Sequence, residues 1–185
     1  MNTTITSKEA ILETSRRIIR EEGLARLSIR SVAAACGVSV GSIYNYFESK
    51  SELAAAAIER VWEDIFHFPK QEEFLHFSDC VRWIFDSIQS GSEKYPGFFT
   101  LHSVGFFGEE KTTGRERMEN SWRHIQKELL CVLNRDPDVR PEVFQGALTR
   151  ESLVDMVFSL ILSALVQQKY DSGPVLEMLR QLLYG

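Results

Sequence analysis

The fold of this chain is predicted by residues 27–53, LSIRSVAAACGVSVGSIYNYFESKSEL. Ser28 is a favourable N-cap, and the apolar residues that follow it recur at helical spacing. These residues are Ile29, Val32, Ala33 and Cys36. Gly37 can adopt the left-handed conformation that ends a helix, and Ser39 can cap the next helix. The stretch therefore predicts a short helix, a corner at residues 37–39 and a second helix.

The second helix is predicted over residues 40–47. Projected at 100° per residue, Ile43 and Phe47 share its inner face. The outward positions are small or polar and are bordered by two tyrosines: Gly41, Ser42, Asn45, Tyr44 and Tyr46. Ser49 and Glu52 form a capping box, which predicts a further helix from Lys50.

Two helices joined by a short corner, the second with a small polar outer face, are typical of a helix-turn-helix that enters the DNA major groove. Gly41 would allow close approach to DNA, and Ser42 and Asn45 can hydrogen-bond base edges. The predicted phosphate donors are Tyr44, Tyr46, Ser28 and Lys50. Geometry alone leaves open a helical hairpin whose polar face simply meets water.

The residues at 27–33, 36–39, 41–47 and 49–53 closely resemble the DNA-binding domain of the TetR (tetracycline repressor-like) family of bacterial transcription regulators. The resemblance implies a three-helix DNA-binding domain, a larger ligand-sensing helical domain and a homodimer on an operator. The DNA-contacting positions that it implies are Ser28, Arg30, Ser39, Val40, Gly41, Ser42, Tyr44, Asn45, Tyr46 and Lys50. Val40 departs from the family pattern, because many relatives carry a basic residue there. An apolar contact with a thymine methyl group can replace the electrostatic contact of that basic residue.

Charge is distributed unevenly along the 185 residues, whose net charge is −5. Residues 1–60 carry 8 Lys and Arg against 7 Asp and Glu, whereas residues 61–185 carry 13 against 19. The hydrophobic content of 44% and charged content of 25% are those of a globular protein. The weak positive excess lies where DNA binding is predicted, so we expect affinity to fall as salt rises.

The three cysteines, Cys36, Cys80 and Cys131, are too few and too far apart for a disulfide framework or a CxxC metal site. Residues 1–20 lack the apolar core of a signal peptide, and the longest apolar run, residues 156–166, is too short to cross a bilayer. These features predict a cytoplasmic protein. No HExxH, glycine-rich phosphate loop or GxSxG occurs, so we predict no enzyme activity, cofactor or metal.

The whole chain predicts an all-α fold in three parts. Residues 1–50 form the DNA-binding domain, 51–68 a connecting helix, and 69–185 a ligand-sensing and dimerisation domain. Thr6 and Glu9 predict a helix from about Ser7 to Gly23. Phe68-Pro69 is the predicted hinge, since proline disfavours helical geometry in the residue before it.

Residues 95–108 place two Phe-Phe pairs between glycines, which predicts large apolar side chains on an irregular backbone. One interpretation is an effector pocket; a plain aromatic core is the other. The predicted pocket residues are Trp83, Phe98, Phe99, His102, Phe106 and Trp122. The effector would be a small apolar or amphipathic molecule.

Two C-terminal helices are predicted at about residues 149–168 and 174–184. Apolar residues cover most of the circumference of the first, which predicts burial on more than one side. A second copy of the chain would cover the outer side in a four-helix interface. The sequence thus predicts a ligand-responsive, dimeric regulator, more specifically a repressor of a palindromic operator. The alternative is a helical small-molecule binding protein that no longer reads DNA.

Overall fold

Helices supply all of the regular secondary structure in the residues that the computed structural model describes, 6–67, 74–99 and 112–185, with only the backbone described for 112–121. The α-helices are α1 (Lys8–Glu22), α2 (Ile29–Cys36), α3 (Val40–Tyr44), α4 (Lys50–Ile65), α5 (Phe77–Lys94), α6 (Thr112–Arg135), α7 (Arg150–Gln167) and α8 (Gly173–Leu179). Short 3-10 turns occur at Leu24–Arg26 and Pro141–Val143, and a π-helical turn occurs at Arg180–Tyr184. The predicted all-α class is confirmed.

The described residues divide into two units. The first lies within Met1–Ile65 and Gly91–Met118, and the second within Phe66–Ser90 and Glu119–Gly185. Helix α5 therefore contributes its last turn to the first unit and its earlier turns to the second. The predicted domain limits at residues 50 and 68 stay a prediction, and the predicted hinge at Phe68-Pro69 falls outside the described residues.

The core of the first unit is built by the apolar faces of its helices. Its buried residues include Ile11, Ile18, Ile19, Leu27, Ile29, Val32, Ala33, Ile43, Phe47, Leu53, Ala57 and Val61. Helix α1 packs on both α2 and α4, and α2 packs on α3. The position of α3 is therefore set by α2, and that of α2 by α1.

The corner between α2 and α3 forms as predicted. Gly37 adopts the left-handed conformation at φ 66°, and its amide donates to carbonyls of the preceding turn. Ser28 and Ser39 cap the two helices. The predicted end of α3 at Phe47 is wrong, because α3 ends at Tyr44. A final turn follows in which the amides of Tyr46 and Phe47 both donate to the Ile43 carbonyl.

Two further helix starts differ slightly from prediction. The N-cap of α1 is Ser7 rather than Thr6, and its hydroxyl accepts the Ala10 amide at 3.1 Å. Ser49 caps α4 by accepting the Glu52 amide. The Glu52 carboxylate accepts the Glu48 amide at 2.7 Å, so the reciprocal bond goes to the residue before the cap.

Helix α5 runs through Gly91 and Ser92 and ends at Lys94. Gly91 is buried within the first unit, where the side chain of Ile65 occupies the space that a β-carbon would need. This glycine permits close helix packing rather than a turn. Helix α6 begins at Thr112 and includes Thr113 and Gly114.

The second unit packs the earlier turns of α5, most of α6, α7 and the C-terminal segment around one core. Its buried residues include Cys80, Ile84, Ile88, Leu129, Leu133, Leu153, Val157, Ile161, Leu165, Leu179 and Leu183. Thr149 and Ser152 form a reciprocal cap at the start of α7, and Gln168 closes its end with φ 53°. The described helices include none that is long and apolar enough to cross a membrane.

Candidate nucleic-acid interface

The outer surface of α3 carries the residues expected to meet DNA. Val40 is 40% exposed, Tyr44 50% and Tyr46 38%, and Asn45 is also exposed. Three exposed apolar or aromatic side chains on so short a segment indicate an interaction surface. Ser42 is half-buried, and Ile43 is fully buried beneath it. Helix α3 thus presents a small, aromatic and polar face on a rigid base.

Serine hydroxyls hold both helix starts. The Ser39 hydroxyl accepts the Ser42 amide at 3.1 Å, and the two hydroxyls lie 2.8 Å apart. The Ser28 hydroxyl accepts the Ser31 amide at 3.0 Å, and the Ser31 hydroxyl accepts the Ser28 amide at 2.9 Å. Sequence reasoning missed the role of Ser31, because a serine at this position imitates the glutamate of the usual capping box.

The two tyrosines of the segment differ in what their hydroxyls do. The Tyr46 hydroxyl donates to the Thr6 carbonyl at 2.6 Å, which ties α3 to the start of α1. That donor is therefore occupied within the protein. Tyr44 is the more exposed of the two, and its hydroxyl has no partner in the described part of the chain. Tyr44 is consequently better placed than Tyr46 to donate to a phosphate.

The arginines around the interface fall into two groups. Ion pairs hold Arg16 to Glu13 and Asp64, Arg20 to Glu21, and Arg60 to Glu9 and Glu63. Among the described residues, Arg17, Arg26 and Arg30 are exposed and form no ion pair. The guanidinium groups of Arg16, Arg20 and Arg60 are therefore occupied within the protein.

Arg26 is a basic residue that sequence reasoning passed over. It is exposed, and its carbonyl accepts the Ser31 hydroxyl at 2.9 Å, which places it beside the start of α2. Arg30 is exposed on the first turn of the same helix, and Lys50 begins α4. The sequence feature that could have identified Arg26 is a basic residue next to a helix cap.

The predicted effector residues lie in separate clusters. Phe98 and Phe99 are buried in the first unit, where each ring centroid lies 5.5 Å from that of Trp62. In the second unit, the Trp83 ring lies 5.8 Å from Phe74 and 6.4 Å from Phe66. Trp122 packs against Phe158 at 6.1 Å. His102 and Phe106 lie outside the described residues.

Phe98 and Phe99 contact Trp62 of α4 within the first unit. Their assignment to an effector pocket or to a plain aromatic core stays a prediction. The pocket interpretation stays a prediction for Trp83 and Trp122 in the second unit. Within the described ranges, no group of three His, Cys, Asp or Glu side chains could hold a metal ion.

The thiol of Cys80 is fully buried in the second unit. Burial, with the nearby charge of Glu128, raises the pKa of Cys80 to about 12. A thiol with so high a pKa is almost wholly protonated at neutral pH and is a poor nucleophile. Cys80 therefore behaves as a small core residue. Cys36 and Cys131 are partly exposed, and all three are free thiols.

The described residues define a class of fold: a helix-turn-helix unit accompanied by a second helical unit. A family model described as "Bacterial regulatory proteins, tetR family" matches residues 11–57, which span α1 to the middle of α4. The match shows that these residues are similar to the TetR family of bacterial regulatory proteins.

Curated relatives match part of the chain. The nucleoid occlusion factor SlmA of Haemophilus ducreyi is 46% identical over 95 residues, covering 49% of this chain and 47% of SlmA. The uncharacterised HTH-type transcriptional regulator YerO of Bacillus subtilis is 40% identical over 52 residues, covering 28% of this chain and 18% of YerO. The chain therefore spans less than half the length of these relatives.

Solved structures share the fold of nearly the whole chain. The transcriptional regulator FadR from Bacillus subtilis, solved in complex with stearoyl-CoA, superposes with a TM-score of 0.66. The match covers 94% of this chain and 97% of FadR at 17% sequence identity. At that sequence identity the similarity shows the fold alone. Because the match covers 94% of this chain, it includes the helices of the second unit as well as those of the first.

Proposed function

We propose that the protein is a dimeric, ligand-responsive transcription regulator that binds a palindromic operator and acts as a repressor. It would work in the cytoplasm by binding rather than by catalysis. The observation that carries the proposal is the exposed face of α3, where Tyr44 and Asn45 project from a helix fixed by the buried Ile43. A short helix that is fixed from beneath and carries exposed aromatic and amide groups is suited to insertion into a major groove.

Base reading is assigned to the outer face of α3. Asn45 can form a bidentate pair with adenine, and Val40 can contact a thymine methyl group. Gly41 is exposed and carries no side chain that would hold the helix away from the bases. Ser42 and Ser39 would mainly hold the helix start, because their hydroxyls bond to each other.

Phosphate contact is assigned to groups around the rim of α3. Tyr44 has a free hydroxyl, and Arg30 and Lys50 are exposed cations without an ion pair in the described residues. Arg26 is added to this set for the same reason. Such contacts fix the register on the duplex without reading sequence, and each neutralised phosphate releases counterions.

The effector is proposed to be a small apolar or amphipathic molecule bound by the second unit. The aromatic surroundings of Trp83 and Trp122 support this assignment. The FadR structure, solved with stearoyl-CoA, supplies an example of an amphipathic ligand on the same fold. Binding would shift the population away from the conformation that fits the operator.

A dimer is proposed because α7 leaves apolar residues uncovered on its outer side. Met156, Leu160 and Val166 are all more than one-third exposed, and Met178 of α8 is exposed as well. A second copy of the chain would cover them about a two-fold axis. Two copies of α3 could then address two half-sites of one operator.

Fluorescence anisotropy on DNA from beside the coding region, titrated with salt, tests the proposal. The parent should bind one fragment much more tightly than a scrambled fragment of equal length. Asn45→Ala should reduce that preference, and Arg30→Ala should lower the slope of log affinity against log salt by about 0.9. Arg82→Ala is the matched control, since Arg82 is an exposed arginine of α5 in the second unit.

The same titration distinguishes the proposed regulator from the alternative, a helical ligand-binding protein that no longer reads DNA. That protein would bind both fragments equally weakly, and the three variants would be indistinguishable. A preference that survives Asn45→Ala without loss would also contradict the assignment of base reading to α3.

A further inference from the structure

Asp64, near the end of α4, joins three elements of the first unit. Its Oδ1 lies 2.7 Å from the Arg16 guanidinium of α1. Its Oδ2 accepts the Tyr95 hydroxyl at 2.7 Å and lies 2.6 Å from the Lys94 ammonium. The Arg16 guanidinium also lies 3.1 Å from the Tyr95 hydroxyl. The four side chains form one closed set of hydrogen bonds, the Asp64 cluster.

The Asp64 cluster is more deeply buried than an ordinary surface ion pair. The Tyr95 residue is fully buried, and the side chains of Arg16 and Asp64 are 20% and 25% exposed. Burial would raise the pKa of Asp64, but hydrogen bonds from Lys94 and Tyr95 and the charge of Arg16 lower it overall. Burial and the Asp64 hydrogen bond raise the pKa of Tyr95 to about 12. The cluster therefore keeps an ionised carboxylate and a neutral phenol at neutral pH.

The position of the cluster links it to the DNA-binding surface. Arg16 lies in the middle of α1, which packs on α2, and α2 packs on α3. Tyr95 follows the last turn of α5 and comes from outside the helix-turn-helix. The rings of Phe98 and Phe99, in the turn after Tyr95, pack on Trp62, two residues before Asp64. Polar and apolar contacts from residues 95–99 thus converge on one stretch of α4.

We propose that Arg16, Asp64 and Tyr95 are positioning residues for DNA reading. They hold α1 against α4 and against the end of α5, and so fix the arrangement in which α3 fits the operator. None of the three touches DNA in this proposal. Arg16 donates inward to Glu13, Asp64 and Tyr95, so it does not serve as a phosphate contact.

The cluster would affect DNA binding through the fraction of molecules in which α1 and α4 hold the arrangement that fits the operator. If the cluster is broken, α1 and α4 are free to shift, and the fraction of molecules that fit the operator falls. Apparent affinity falls by the same factor, although every phosphate contact is still available. A positioning residue should therefore weaken binding without changing its salt dependence, whereas a phosphate contact changes both.

Tyr95→Phe is the sharpest variant, because it removes one hydroxyl and leaves the ring. Tyr184→Phe is the matched control. The Tyr184 hydroxyl donates to the Asp136 carboxylate at 2.6 Å in the second unit, and burial raises the pKa of Tyr184 to about 12 as well. Both variants lose a phenol hydrogen bond to a carboxylate, so we expect similar losses of thermal stability.

The test rests on the proposed function and measures affinity for the preferred DNA fragment. Tyr95→Phe should weaken operator binding about fivefold with an unchanged salt slope. Tyr184→Phe should stay within about twofold of the parent. Equal operator affinity of the two variants would overturn the proposal and leave the Asp64 cluster a stability element alone. A reduced salt slope would overturn it too, since it would reveal a direct phosphate contact.

A measurement without DNA keeps this inference separate from the proposed function. Amide hydrogen exchange should be several-fold faster in α1 and at the end of α4 in Tyr95→Phe, and unchanged in α7. Exchange that changes only next to residue 95 would overturn the proposal even if the parent bound no operator. Should Tyr95→Phe fail to fold, Arg16→Gln gives the same two measurements, because it removes one charge of the cluster from a side chain that is 20% exposed.

Discussion

Gly91 in the last turn of α5 lies directly against Ile65 at the end of α4. A β-carbon at residue 91 would lie 2.9 Å from Cγ1 of Ile65 and 3.0 Å from its Cγ2. Contacts this short between carbon atoms are repulsive. The glycine therefore permits the close approach of two helices in the first unit, next to the Asp64 cluster.

Gly91→Ala should destabilise the protein by about 1–3 kcal/mol, the usual effect of overpacking. Helix propensity alone predicts the opposite sign, because alanine is favoured over glycine in a helix by about 1 kcal/mol. Thermal or urea unfolding measures the balance. Ser90→Ala, at the exposed neighbouring position, is the control and should change stability little. A more stable Gly91→Ala would mean that Ile65 moves aside at no cost.

Gly41 should show a conflict between stability and DNA binding. It lies in α3 with a helical backbone, and an added β-carbon would make only an ordinary contact, 3.7 Å from the Ser39 hydroxyl. Gly41→Ala should therefore raise the free energy of unfolding by up to about 1 kcal/mol. The same methyl group would obstruct the approach to DNA, so operator affinity should fall. Unchanged affinity would place this side of α3 away from the duplex.

The tyrosines at 44 and 46 should separate in a hydroxyl-deletion test. Tyr44→Phe should weaken operator binding about fivefold, because a neutral hydrogen bond contributes about 1 kcal/mol. Tyr46→Phe should affect stability more than affinity, since the Tyr46 hydroxyl already donates to the Thr6 carbonyl. Anisotropy and thermal melting on both variants give the comparison. The reverse ranking in affinity would require the Thr6 contact to open on DNA.

The sequence predicted local features well because they depend on neighbouring residues. The caps at Ser28 and Ser39 and the left-handed Gly37 are short-range effects, and all three are present in the structure. The role of Gly91 is not visible in the sequence, because the packing of Ile65 against it joins residues 26 positions apart. A glycine required for packing and one required for a turn have the same letter in a sequence.

The limits of sequence reasoning at the candidate site follow from the same cause. Tyr46 was grouped with Tyr44 by its position on the helix, but its bond to Thr6 spans 40 residues. Helical spacing does not distinguish Arg16 from Arg17, although Asp64 and Tyr95 bind the Arg16 guanidinium within the protein. Periodicity reports which side a residue faces, whereas the partner that satisfies its polar group depends on the tertiary fold.

Stability should decrease in acid through Asp136 of the second unit. Burial would raise its pKa, but bonds from the Tyr184 hydroxyl and the Phe77 amide lower the pKa below its ordinary value of 3.8. A carboxyl whose pKa is lower in the folded state stabilises the fold above the unfolded-state value. That stabilisation is lost as pH falls below about 4.

Asp136→Asn isolates this contribution. At pH 7 the variant should be less stable than the parent by about 1.5–3 kcal/mol, since hydrogen bonds to a charged acceptor are lost. Toward pH 3 the two proteins should converge, because the parent carboxyl is then losing its charge. Urea unfolding across this pH range provides the measurement, with Asp138→Asn, an exposed neighbour, as control. A constant difference at every pH would contradict the assignment.

The outer side of α7 should control association of two chains. Met156 is 53% exposed, and Leu160 lies one turn further along the helix. Met156→Asp would place a charge at the centre of the proposed interface, where an unpaired charge loses its hydration. The molar mass from light scattering should then be that of a 21.2-kDa monomer, whereas the parent should be a dimer. Ser90→Asp, which adds the same charge at an exposed site on α5, should remain paired.

Loss of pairing should also change DNA binding in a specific way. A single chain still carries one intact α3, so it should retain weak binding to a half-site. It should lose the additional affinity for the two-fold operator, because linked binding of the second half-site raises affinity by orders of magnitude. A Met156→Asp chain that stays paired, or a single chain that binds the full operator as tightly as the parent, would rule out α7 as the dimer interface.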